Sequence, residues 1–168
     1  SKLIKMTLAA GAAVTALIVK WGAGFEKSMS RVKALTGATD EEFKKLKATA
    51  EELGRSTEWT AGQVAEGMSN LALAGFKVND IITAMGPSLS LATAGQIDLA
   101  DATGIVSKIM ASMGLDATDL TRVVDVMTQG FTNTTTDLTE LGDGFKNAGA
   151  MGRTVGMSLE EIVSILMV

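Results

Sequence analysis

An all-α fold is predicted for this chain of 168 residues: a series of short amphipathic helices joined by tight glycine-containing turns and preceded by an apolar, alanine-rich helix. Three observations predict it. Apolar residues recur at a period near 3.6 along most of the chain. A hydroxyl or acidic residue followed three positions later by an acid or amide recurs before these stretches, the pattern that caps a helix start. Glycines fall where the periodic stretches stop. No stretch alternates apolar and polar residues as a half-buried strand does, and Asp143-Gly144, the one hairpin-like pair, sits inside a helical stripe. No heptad survives the glycines, which excludes a long coiled coil.

The first element is the uncharged apolar run Met6 to Val19, between Lys5 and Lys20, rich in Ala and containing Gly11. As a helix it spans about 21 Å, short of the ~30 Å hydrocarbon core of a bilayer. Three readings stay open for it: a helix buried against others of its kind, contact with a membrane, and a secretory signal. The chain starts at Ser1 without an initiator methionine and stops at Leu166-Met167-Val168, in mid-pattern of the helix begun at Ser158. The expectation is an excised piece of a larger protein, divided into an apolar segment over 1–24 and a helical domain over 25–168 that is cut short at its C-terminal end.

Helix starts are expected at Thr39-x-x-Glu42, Thr60-x-x-Gln63, Asp98-x-x-Asp101, Asp116-x-x-Asp119, Thr134-x-x-Asp137 and Ser158-x-x-Glu161. Stops are expected at Gly54, Gly75, Gly95, Gly114, Gly130 and Gly156. The helix from Thr60 carries Val64, Met68 and Leu71 on one face, with Trp59 placed to lie against Val64, and closes at Ala74-Gly75-Phe76. Val78, Ile81, Ile82, Met85, Leu89 and Ala92 form the next stripe, which Pro87 is expected to kink or restart. Lys77 stands where a small capping hydroxyl is expected. Further faces are Phe43, Leu46, Ala50 and Leu53; Ala102, Ile105, Ile109 and Met113; Leu120, Val123, Val124 and Met127; and Leu138, Leu141, Phe145 and Ala148. Leu115 is placed to staple against Leu120, and Met157 against Ile162. Gly144, Ala148, Gly152 and Gly156 recur every four positions; either they let two backbones approach, or Gly152 and Gly156 belong to the turn before Ser158, which is the favoured reading.

Composition narrows the chemistry. Hydrophobic residues make up 46% but aromatics only 4%, so the core is built from Ala, Leu, Ile, Val and the ten Met, a plastic set. The absence of cysteine and histidine removes disulfides, thiolate chemistry and the commonest general base and metal ligand. The net charge of −4 is uneven: residues 1–33 hold six basic residues against one acidic, and the remainder nine against eighteen. An acidic body disfavours phosphate-backbone capture, and no sequence-specific nucleic-acid partner is expected. Gly142-Asp143-Gly144 lacks the third glycine and the strand of a dinucleotide fingerprint, and no phosphate-loop motif is present. Ser30-x-x-Lys33 lacks the companion motifs of a nucleophilic serine and reads as a solvated helix face. The acid pairs Glu41-Glu42, Glu51-Glu52 and Glu160-Glu161 point about 100° apart on a helix and read as dipole complements, as such pairs near helix starts ordinarily are. Asn133-Thr134-Thr135 fits a glycosylation sequon but has no secretory context. No catalytic, cofactor-binding or metal-binding residue and no cofactor is expected, and the chain reads as no enzyme.

One ordered series of residues does carry a resemblance. Ser56-Thr57-x-x-Thr60 with Gln63-Val64-Ala65, then Asn70-Leu71-Ala72-x-Ala74-Gly75-Phe76, then Leu89-x-Leu91-Ala92-x-Ala94, resembles the shared domain of tape measure proteins from tailed bacteriophages and prophages. The likeness extends upstream through Phe25-Glu26-Lys27-Ser28-Met29 and Val32 to Thr39, and downstream through Val123-Val124-Asp125-Val126 and Gly156 to Glu161, about residues 20 to 168. The resemblance implies a multi-copy structural protein inside the tail tube, around which tube subunits polymerise, whose total length sets tail length and which leaves ahead of the DNA at infection. The partners it implies are the tail tube protein, tail assembly chaperones, tail tip or baseplate hub proteins, other copies of itself, and the host inner membrane at ejection. Two other classes stay open: a membrane-active helical protein, suggested by the cationic apolar start, and a peptidoglycan hydrolase, since some tape measure proteins carry such a domain. The second needs a clustered acid or metal site that this sequence does not show.

Overall fold

The computed structural model describes residues 23–132 and 137–166, and the structural statements that follow concern these. The apolar run Met6 to Val19 and the cap position Thr134 lie outside them. No strand occurs among the described residues. The first helix, α1, covers residues 23–36 of the described chain. It is followed by α2 (Asp40–Ser56), α3 (Ala61–Leu73), α4 (Val78–Gly95), α5 (Leu99–Met113), a 3₁₀ turn (Ala117–Asp119), α6 (Leu120–Thr132), α7 (Leu138–Thr154) and α8 (Leu159–Leu166).

The expected starts hold where they are described. Thr39 and Glu42 form a reciprocal capping box, as do Thr60 and Gln63. Ser158 and Glu161 exchange the same pair of bonds, at 2.8 and 3.2 Å. Asp98 occupies the N-cap of α5 without a side-chain bond, and Lys77 does the same for α4, as the lack of a hydroxyl there suggests. Asp116 and Asp119 cap the 3₁₀ turn rather than α6 itself. The cap of α7 is Asp137, which accepts from Glu140 N at 2.8 Å, three residues later than the expected start at Thr134.

The stops divide. Gly75, Gly114 and Gly156 have φ of +90, +65 and +82°, and the apolar residue after each donates back into the helix, as Phe76 N does to Leu71 O at 3.1 Å. This two-bond closure is what a left-handed residue after a helix makes possible. At the end of α4 the left-handed residue is Gln96, φ 52°, not Gly95, which is still helical. Gly54 and Gly130 are not stops either; α2 runs on to Ser56 and α6 to Thr132. A Cβ on Gly54 would lie 2.5–2.9 Å from the backbone and Cβ of Ala61, so this glycine serves the close approach of α2 to the first turn of α3.

Pro87 neither restarts nor ends α4, which runs through it. The proline removes the bond to the carbonyl of Thr83, but Thr83 is exposed, where water can serve that carbonyl. Ile81 and Met85 before it and Leu89 and Ala92 after it are buried in the same core, which holds the two halves as one element.

The helices stack in two rows. After α1 and α2, which are tied by Lys33 to Asp40 at 2.6 Å and by Lys47 to Glu26, the odd-numbered helices α3, α5 and α7 lie side by side, with α5 between the other two. The even-numbered helices α4, α6 and α8 form a second row with α6 in the middle, and each helix also touches its neighbours in sequence. The core fills the space between the rows. It is aliphatic and methionine-rich, with Met68, Leu71, Ile81, Met85, Leu91, Ile109 and Met127 nearly or wholly buried, and Phe145 as its one fully buried aromatic among the described residues. Short amphipathic helices dictate such an arrangement, because one apolar face buried on one neighbour leaves a second flank for the next.

Candidate functional site: the open apolar end of the helical rows

Several polar residues singled out in the sequence are used for structure, and those that are described do not gather into one site. Glu42 and Glu161 are bound in capping boxes, and Glu52 pairs with Arg55 at 2.6 Å. Glu160 accepts two hydrogen bonds from Arg122, at 2.8 and 2.7 Å, tying α8 to α6. The Arg122 guanidinium holds the Glu160 carboxyl below its ordinary range. Lys33 bonds Asp40, whose carboxyl it likewise lowers, and lies over the Phe43 ring at 5.1 Å, so Ser30-x-x-Lys33 is part of the α1–α2 contact. Thr39 amide and hydroxyl donors hold Glu42 low, and Thr118 does so for Asp116. Among the described residues no three acidic side chains gather as a metal site would require. Trp59 is half-buried against the core and donates its indole N–H to Thr93 Oγ1 at 3.4 Å, fixing the start of α3 against the end of α4.

The surface that stands out is apolar. Ala148 and Met151 of α7, Val155 at its C-cap, Met157 before α8, and Ile162 and Ile165 of α8 line a groove of about 340 Å³ with almost no polar wall. Met151, Val155 and Ile165 are 74, 75 and 63% exposed. The groove exists because α8 sits tightly on α7: a Cβ on Gly152 would meet Ile162 at 2.5 Å, and one on Gly144 would meet Leu166 at 3.1 Å. Gly152 is therefore a helical contact residue of α7 rather than a turn residue as the favoured sequence reading had it, although its carbonyl accepts the closing bond of that turn from Met157 N at 2.9 Å; Gly156 is in the turn as expected. The other flank of α7 faces α5, where a Cβ on Gly142 would reach Ile105 at 2.8 Å. Sequence reasoning missed this surface, although Met151, Val155 and Ile165 fall outside the core stripes it assigned.

Among the described residues no helix is long and apolar enough to cross a membrane. The joints between the helices of this array are apolar.

The comparisons with known proteins agree. The family model described as phage-related minor tail protein matches residues 47–168. A tape measure protein of Pneumococcus phage Dp-1 is 36% identical over 143 residues, which is 85% of this chain and 12% of that relative. The chain thus spans about an eighth of the relative it matches. No solved structure matches. The chain that folds into this helical array belongs to the phage-related minor tail protein family and is similar to a segment of a phage tape measure protein.

Proposed function

We propose that this chain is a compact module of a tape measure protein that sets tail length, templates assembly of the tail tube and is ejected ahead of the DNA during infection. Family membership supports the tail role, and the observation that supports the division of labour is the two-row stacking of helices no longer than 18 residues. Even a single straight helix of all 168 residues would reach only about 250 Å, and stacked helices reach far less. This module is therefore a poor ruler and acts as a folded unit attached to one. Its role is structural and not catalytic. The partners are the tail tube protein, tail assembly chaperones, tail tip or baseplate hub proteins and other copies of the same protein, with residence in the tube lumen of the virion and in host cytoplasm during assembly. Deleting helical turns from the rod of the parent protein shortens tails in proportion, as measured by electron microscopy, whereas tails of unchanged length would refute the ruler role.

A second reading concerns residues 1–24. The run Met6 to Val19 is flanked by Lys2, Lys5 and Lys20, with Trp21 beside the last. Cations attract anionic headgroups and an indole prefers the interface, so this segment binds membranes at their surface and contributes to contact with the host inner membrane at ejection. Flotation with anionic vesicles at low salt tests it: the chain floats, and the chain lacking residues 1–24 does not. Both forms staying in the soluble fractions would end this reading.

A further inference from the structure

The two rows have a rule of growth. In the odd row α5 lies against α3 while also touching α4, and α7 lies against α5 while also touching α6. A helix added to this row would lie against α7 and touch α8. The apolar groove occupies that position, with one wall from α7 and the other from α8. The helical geometry agrees. Gly142 and Gly149 face α5, toward Ile105 and Ser112. Met151 follows Gly142 by nine residues, a rotation of about 180° at 3.6 residues per turn, so it points directly away from α5. Val155 and Ala148 lie within about 60° of Met151. The C-terminal part of α7, from Ala148 onward, therefore carries an apolar outer flank that α5 does not cover, whereas earlier in the helix the same side holds exposed Glu140 and Asn147.

We propose that this groove is the seat of the next helix of the same polypeptide, an amphipathic helix formed by residues beyond Val168, which extends the row α3, α5, α7 by one member. This rests on the reading that the chain is a module of a longer tail protein, for which the 12% share of the Dp-1 tape measure protein speaks. The walls name the chemistry of the occupant. With no charged residue among the lining side chains, the groove takes an aliphatic face and offers nothing to a polar ligand. In stacked arrays an end repeat that has no further neighbour carries a polar outer face, and exposed Met151, Val155 and Ile165 are the opposite of that.

The test compares this chain with the same chain extended through the next forty or so residues of its reading frame, using methyl-labelled methionine. In the extended chain the Met151 methyl group loses at least three-quarters of its relaxation by a soluble paramagnetic probe, with both chains monomeric by sedimentation. Val155→Asp lowers the thermal midpoint of the extended chain by about 5 °C or more and leaves that of the shorter chain within about 1 °C. Equal exposure of Met151 in both chains, or equal effects of Val155→Asp, overturns the proposal. Self-association of the shorter chain that Val155→Asp abolishes also overturns it, in favour of a second copy as occupant. A reading frame that ends within a few residues of Val168 removes this proposal, and removes the tail-module reading as well where no long segment precedes the chain; a long following frame with Met151 still exposed removes this one alone.

Discussion

Gly75 and Gly54 are the same residue type near two helix junctions, and they do different things. Gly75 has φ +90° and nothing within 4 Å of where a Cβ would stand, so the cost of adding one is that of the left-handed backbone alone. Gly75→Ala is expected to lower stability by about 1 kcal/mol, read as a lower urea midpoint with unchanged slope. Gly54→Ala meets the backbone of Ala61 and forces α2 away from α3, for which about 1–3 kcal/mol is expected. If Gly54→Ala proves the milder of the two in the same titration, the close approach assigned to it is wrong. Ser88 makes the opposite case: its side chain is fully buried and its hydroxyl has no hydrogen-bond partner among the described residues. A buried hydroxyl without a partner opposes folding, so Ser88→Ala is expected to leave the midpoint unchanged or raise it.

At the scale of elements, each helix is too short to stand alone, and its stability comes from the face it buries. The caps decide where the helices begin. Thr60→Ala removes the hydroxyl that accepts from Gln63 N and is expected to cost about 1 kcal/mol. The core decides whether they stay. Phe145, fully buried on α7, is the largest side chain of a core otherwise made of aliphatics and methionine. Phe145→Ala is expected to cost about 3–5 kcal/mol, and a loss below that range would mean that the flexible methionines collapse into the space. Amphipathic period and capping pairs made these elements legible: the starts at Thr39, Thr60, Asp98 and Ser158 needed only neighbours three residues apart. Pro87 does not restart the helix because the packing of Met85 and Leu89 on a shared core outweighs the lost hydrogen bond, which is all that local propensity sees.

The whole molecule is an array, and its response to pH and to local opening follows from that. With no histidine, no side chain of ordinary pKa changes charge between about pH 6 and 8. The carboxyls of Asp40, Glu42, Asp116 and Glu160 are held below their ordinary values by Lys33, Thr39, Thr118 and Arg122 respectively. Groups lowered on folding contribute stability that is present above their unfolded pKa and is lost as pH falls through the folded one. The urea midpoint is therefore expected to be flat through neutrality and to fall below about pH 4; a decline between pH 8 and 6 would contradict it. Hydrogen exchange adds a spatial test. α5 is packed by α3, α7, α4 and α6, while α8 packs chiefly on α6 and α7. Amides of α5 are expected to exchange most slowly and those of α8 fastest among α3 to α8, and equal protection would mean that the array opens as one unit.

The sequence by itself determined the class of fold, the order of the helices, most of their starts and the family, since all of these are written in residues a few positions apart or in an ordered series of them. It did not determine which glycine ends a helix and which admits a neighbour. Gly54, Gly130 and Gly152 carry the same local signal as Gly75 and Gly156, and only the partner brought alongside, Ala61 for Gly54 and Ile162 for Gly152, separates them. Nor did it show the groove beside Met151, because a helix with two apolar flanks reads like any other until the tertiary structure covers one flank and leaves the other open. Contacts between elements distant in sequence decide such matters, and no local pattern encodes which of two equivalent faces will be filled.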